Sequence, residues 1–151
     1  PTPGLTLSGS LNYTEAKLTA DAPGIKAMDG DRLPNVPKLS GYLSADYSFH
    51  LATAWEGYVG SSLHYTANRV SGFVSSAPAS FQRPVMPSYT TYDLRAGVTH
   101  DMWDLELYAK NLGNSRGITS LRSLAFDSVS NPYAASIIQP RTVGITLSMQ
   151  Y

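Results

Sequence analysis

The last eleven residues, Arg141 to Tyr151, constrain this chain more than any other stretch. Every odd position from 143 onward is apolar or aromatic: Val143, Ile145, Leu147, Met149 and Tyr151. The even positions between them, Thr142, Gly144, Thr146, Ser148 and Gln150, are small or polar. Successive side chains of a strand point to opposite faces, so this stretch is a strand with one oily and one wet surface. A terminal strand of this kind, ending on an aromatic residue, is expected of a transmembrane β-barrel, where the oily face meets lipid. The competing reading is an edge strand of a soluble β-sandwich.

The same period recurs through the chain. Leu5, Leu7, Gly9, Leu11 and Tyr13 alternate with polar neighbours and predict a first strand. Leu39 to Phe49 predicts a second and Trp55 to Tyr65 a third, joined by a short link over 50–54. Tyr92 to Thr99 and Trp103 to Lys110 predict a fourth and fifth around a tight turn at Asp101-Met102. The terminal strand makes six. The stretches between, broken by Pro23-Gly24, Asp29-Gly30-Asp31, Pro78, Pro84 and Pro87, read as long loops. No helix is predicted. The fold class is therefore all-β: an antiparallel up-and-down meander of about six long strands, a partial segment of a transmembrane barrel.

Connections alternate long, short, long, short, long, as they do where outer loops are long and inner turns short. Large aromatics on the oily face gather at two heights. Phe49, Trp55, Trp103 and Tyr151 fall at the short-turn end, and Tyr13, Tyr65 and Tyr92 at the long-loop end. From Trp55 to Tyr65 the strand rises about 25 Å along the membrane normal, given about 3.3 Å per residue and a tilt near 40°. That is the height of a barrel's apolar band. On the wet face, counting outward from the Asp101-Met102 turn sets Asp93 opposite Lys110 and Arg95 diagonal to Glu106, giving two predicted lumen charge pairs.

Composition narrows the function classes. The 151 residues carry 11 basic and 11 acidic side chains. Without a basic excess, a nucleic-acid partner is not expected. There is no cysteine, hence no disulfide framework and no thiolate metal site. No apolar run reaches the length of a transmembrane helix. Ten tyrosines and 12 glycines with 15% charged residues suit a tyrosine-rich β protein. The opening Pro1-Thr2-Pro3-Gly4 reads as a point inside a longer protein.

Three segments, in order, carry a family resemblance. Leu33-Pro34-Asn35-Val36-Pro37-Lys38 before a strand resembles a segment late in TonB-dependent outer-membrane receptors. Leu105 to Leu112, closing on Asn111-Leu112, resembles their penultimate strand, and Pro140-Arg141-Thr142-Val143-Gly144 their last. Tyr151 stands where Phe or Trp is commoner, and Gly113-Asn114 departs from the usual turn. The resemblance implies the C-terminal portion, here residues 1–151, of a barrel of about 22 strands, its plug and earlier strands lying upstream.

It further implies uptake of a scarce ligand, most simply a ferric siderophore, at the cell outer membrane of a Gram-negative bacterium. The implied partners are outer-membrane lipid, TonB (through the N-terminal part of the parent), and the barrel-assembly machinery. The last would engage a signal formed by Val143, Ile145, Leu147, Met149 and Tyr151. Other outer-membrane barrels, porin-like, and a soluble β-sandwich binding module are the alternatives.

Nothing points to catalysis. His50, His64 and His100 are dispersed, without the carboxylate or cysteine spacing of a metal site. Ser61-Ser62 and Ser75-Ser76 lack a nucleophile-elbow context. No cofactor and no catalytic or metal residue is expected. Ligand contacts are expected from loops 16–38, 68–88 and 112–139, with Phe81, Arg122 and Tyr133 as candidates; Asp29, Asp31 and Arg32 read as solvated loop residues.

Overall fold

Each of the six alternating runs becomes a strand of one antiparallel sheet. The computed structural model describes residues 2–73, 85–123 and 133–150. The sheet contains β1 (Leu5–Tyr13), β2 (Leu39–Ala52), β3 (Trp55–Thr66), β6 (Tyr89–His100), β7 (Trp103–Lys110) and β10 (Thr142–Met149), in that spatial order. Two short ribbons lie in the loops, β4 (Arg69–Val70) with β5 (Val85–Met86) and β8 (Ile118–Ser123) with β9 (Tyr133–Ile137). The period-2 signal did not mark either ribbon, because neither has a face to bury in the sheet. A 3₁₀ turn spans Pro23–Ile25.

The register aligns the two faces across the whole sheet. One row reads Leu5, Tyr47, Val59, Ala96, Leu107, Ile145. The next row, on the opposite face, reads Thr6, Asp46, Gly60, Arg95, Tyr108, Gly144. A one-residue slip in any ladder would carry a strand's apolar set to the wrong side, so the pattern fixes the pairing. The Asp101-Met102 turn sets His100 opposite Trp103, with Asp101 in the left-handed region at φ 49°. Positive φ is what a two-residue hairpin of matching twist demands. The expected 50–54 link is shorter than read. Strand pairing runs through Ala52, with a register shift between His50 and Ala52, and the turn is residues 53–54.

Among the described residues no second layer covers the oily face. Leu43, Val59, Leu107 and Leu147 are 57%, 45%, 54% and 62% exposed. A soluble sandwich would bury these residues under a second sheet. Among the described residues the fully buried hydrophobics are Ala27 and Met86, and both lie outside the main sheet. The accessible surface is 10543 Å². A compact monomer of this mass would expose about 7,500 Å². The chain is thus a wall one strand thick. No helix among the described residues is long and apolar enough to cross a membrane.

These faces make a direct test. Leu107→Arg or Leu147→Arg places a cation on the oily face at a cost of about 2–4 kcal/mol near a bilayer midplane. Either change is expected to abolish insertion of the parent barrel, read as loss of its heat-modifiable band in membrane fractions. Thr146→Arg, opposite Glu106 on the wet face, is expected to insert normally.

Candidate functional site

The wet face carries charge in a specific weave. Arg95 does not take Glu106 as its main partner, as the hairpin register suggested. Its guanidinium reaches over Gly60 to Asp46, with Nη2 2.7 Å and Nε 3.3 Å from Oδ1. Glu106 stands 4.0 Å from Nη1 on the other side. A β-carbon at Gly60 would fall 2.7 Å from Arg95 Nε and nearer still to Asp46, so only glycine leaves the crossing open. Arg95 is about half exposed, and such a pair contributes on the order of 0.2–1 kcal/mol.

A second crossing lies one row away. Tyr58 lies over Gly97, its hydroxyl 3.2 Å from Glu106 Oε2 and 3.3 Å from Asp104 Oδ2. One phenolic donor is shared between two carboxylates. Thr99 donates to Asp104 Oδ1 at 3.0 Å. Nor is Asp93 held by Lys110 as expected. Its carboxylate accepts the backbone N–H of Asn111 at 2.8 Å, while Lys110 Nζ sits 5.2 Å from the centre of the Tyr108 ring. All four charged residues singled out in the sequence lie on the wet face. They line a recess of about 320 Å³ with Tyr42 and Asp46.

The aromatics of the oily face occupy both ends of the strands. Trp55 and Trp103 share the row nearest the short turns with His100, whose ring lies 4.3 Å from that of Trp55, and Phe49 stands one row further in. At the loop end Tyr13, Tyr65 and Tyr92 step along a diagonal, each one same-face row beyond the last. A diagonal of this kind follows from strands tilted in a sheared sheet. Of the terminal apolar positions, Val143, Ile145, Leu147 and Met149 lie exposed on β10, and Tyr151 lies outside the described residues.

Above the sheet, side chains tie the loops together. Arg69, 5% exposed, donates to the carbonyls of Ile118 at 2.8 Å and Thr119 at 3.3 Å, and its guanidinium carbon lies 5.7 Å from the Tyr89 ring centre. The N–H of Asn35 donates to Val70 O. Loop 67–88 is therefore joined both to loop 14–38 and to loop 111–141. Asn111, also 5% exposed, holds both ends of the last one. Its amide donates to Ser115 O and Gln139 O at 2.9 Å each, and its carbonyl oxygen accepts the Ser115 N–H at 2.9 Å. The Asn-Leu ending was legible in the sequence, but this role was not, because it depends on a contact 28 residues away.

The candidate loop contacts are dispersed. Asp29 and Asp31 stabilise their own loop. The Asp29 N–H donates to Asp21, and the Asp31 carboxylate accepts the Met28 N–H. Arg32 reaches Val36 O at 3.4 Å. Arg122 and Tyr133 belong to the β8–β9 ribbon, and Phe81 lies outside the described residues. His50 faces Glu56 at 3.5 Å and His64 packs on Tyr42 at 4.6 Å. Among the described residues no three metal-ligating side chains converge.

A wall with one oily face, a charged wet face and tied outer loops has known counterparts. The family profile described as TonB-dependent receptor-like, β-barrel, matches residues 3–112. This chain belongs to that TonB-dependent receptor family. Solved structures extend the likeness through β10. The ferric-catecholate import receptor Fiu of E. coli K12, in its closed form, superposes with a TM-score of 0.72 at 20% identity, over 99% of this chain and 19% of that one. BauA, the ferric preacinetobactin receptor of Acinetobacter baumannii, gives 0.71 at 18% identity, over 99% and 20%. The siderophore receptor PiuA of the same organism gives 0.70 at 21% identity, over 99% and 20%. At these identities the likeness is one of fold. This member of the TonB-dependent receptor family spans about a fifth of the length of those receptors. No curated protein sequence matches it.

Loss of the Asn111 amide should loosen one loop without disturbing the wall. Asn111→Gly keeps the backbone free to hold φ 50° but removes three hydrogen bonds, leaving carbonyls whose desolvation costs about 1–3 kcal/mol each. On intact cells the variant is expected to be cut by added protease within 112–141 while the barrel still assembles. Equal protease resistance in variant and parent would show that the amide does not hold the loop.

Proposed function

We propose that this chain is the C-terminal wall of a TonB-dependent receptor in the outer membrane of a Gram-negative bacterium. On this reading the parent takes up a ferric siderophore, and residues 1–151 contribute six strands and three outer loops to it. The observation that carries this reading is the segregation of whole rows to opposite faces across six strands, in a chain of the receptor family. Hydrocarbon meets the Leu5–Ile145 row and lumen water the Thr6–Gly144 row. The aromatics Tyr13, Phe49, Trp55, Tyr65, Tyr92 and Trp103 anchor the wall at the two interfaces.

The loops, set above the wall by Arg69 and Asn111, offer surface for the ligand, with the plug's upper face below. TonB acts through the N-terminal part of the parent. The barrel-assembly machinery engages the signal formed by Val143, Ile145, Leu147, Met149 and Tyr151. The ligand class is supported by the fold neighbours, whose names describe ferric-catecholate, ferric preacinetobactin and siderophore receptors. The role is transport, with no catalytic step.

Deletion of the parent gene tests the reading. Growth on at least one ferric siderophore as sole iron source is expected to fail in the deletion strain and to return with the gene. Unchanged growth and unchanged ⁵⁵Fe uptake across a panel of catecholate, hydroxamate and mixed siderophores would assign the receptor to another ligand class.

A further inference from the structure

Two side chains of the wet face cross a glycine to reach a carboxylate, and a third makes the same crossing at the edge of the sheet. In the first, Arg95 passes over Gly60, and Asp46 stands directly opposite that glycine on the far side. In the second, Tyr58 passes over Gly97, and Glu106 stands directly opposite that glycine. The third is Tyr108, paired with Gly144 of β10. Its hydroxyl lies 2.5 Å from where a β-carbon of Gly144 would be, so the ring extends across β10 toward the free edge.

We propose that the strand hydrogen-bonded to that free edge carries an aspartate or glutamate opposite Gly144, and that this carboxylate accepts the Tyr108 hydroxyl. The proposal rests on the barrel-wall reading and goes beyond it by fixing a residue type at one register position.

Three observations support it. The Tyr108 hydroxyl has no hydrogen-bond partner among the described residues, although it lies on the face where Tyr58 is bonded to two carboxylates. On the oily face the comparable crossing is made by Phe49 over Gly57, where no polar tip is needed, so the hydroxyl at 108 marks a polar end point. Lys110 Nζ, 5.2 Å from the Tyr108 ring centre, adds a positive field that favours an anion nearby. A phenol donating to a carboxylate makes a charge-assisted bond, stronger than a neutral one. It would fasten the seam between β10 and the next strand.

The test uses the full-length receptor in outer membranes. Thr142→Cys and Thr146→Cys, flanking Gly144 on the wet face, are each combined with single cysteines along the strand across the seam. Disulfide yield after mild oxidation then fixes the register. The residue opposite Gly144 is expected to be Asp or Glu. Tyr108→Phe, the amide variant of that acid, and the double variant are next compared by heat-modifiable mobility. Each single change is expected to lower the midpoint by about 2–4 °C, with the double no lower than either. A residue other than Asp or Glu at that position, or effects that simply add, would overturn the proposal while leaving the wall intact. No cross-link at any position would overturn the wall reading and the proposal with it.

Discussion

On the barrel-wall reading, backbone polarity in a water-free layer is the constraint from which this structure follows. An N–H or C=O left without a partner in hydrocarbon costs several kcal/mol, so a chain crossing lipid must satisfy every one internally. Strands do so only through neighbours. Five antiparallel ladders meet the demand for β2, β3, β6 and β7 on both sides, and for β1 and β10 on one. Among the described residues no strand pairs with the outer edges of β1 and β10. A sheet with open edges is a template for further pairing. The similar receptors are about five times as long.

With the backbone satisfied sideways, the two faces are free to meet different solvents. On the barrel-wall reading the oily face needs only apolar side chains of any shape, because lipid adapts to them. Its rows mix Leu, Val, Ala, Tyr and Trp, and Phe49 lies across Gly57. On the wet face the crossings end on charge. There large side chains lie flat, and glycines are placed where the flat ones cross. Gly60 and Gly97 each open a track for a neighbour to reach a charge two strands away. This weave links strands that share no ladder. β2 is tied to β6, and β3 to β7.

How far the sequence could be read follows from the same physics. The strands, faces and turns were legible because side-chain alternation has an invariant period, and a two-residue turn sets the register of its hairpin. His100 opposite Trp103 is such a case. The partner of Arg95 was not legible from its hairpin. Asp46 lies two strands away, and reaching it requires knowing that β3 intervenes with a glycine at the crossing. The loops were the least legible part. Arg69 meets Ile118 at a separation of 49 residues, through a side chain and a carbonyl, and no periodicity reports a contact of that kind.

The distribution of burial separates the two halves of the molecule. In a water-soluble domain the sheet would hold the core and the loops would be exposed. Here the sheet's oily side chains are open, and among the described residues the buried Met86, Ala27, Arg69 and Asn111 all lie outside the six strands of the main sheet. The wall is held by ladders and by the solvent on each face, so its residues can drift among apolar types at little cost. The loops are held by a few buried groups, each with several partners, and a single change there moves a whole loop. A wall of this kind can therefore stay fixed while its outer surface diverges. That is consistent with a backbone shared with receptors for chemically different ferric ligands at about one-fifth identity.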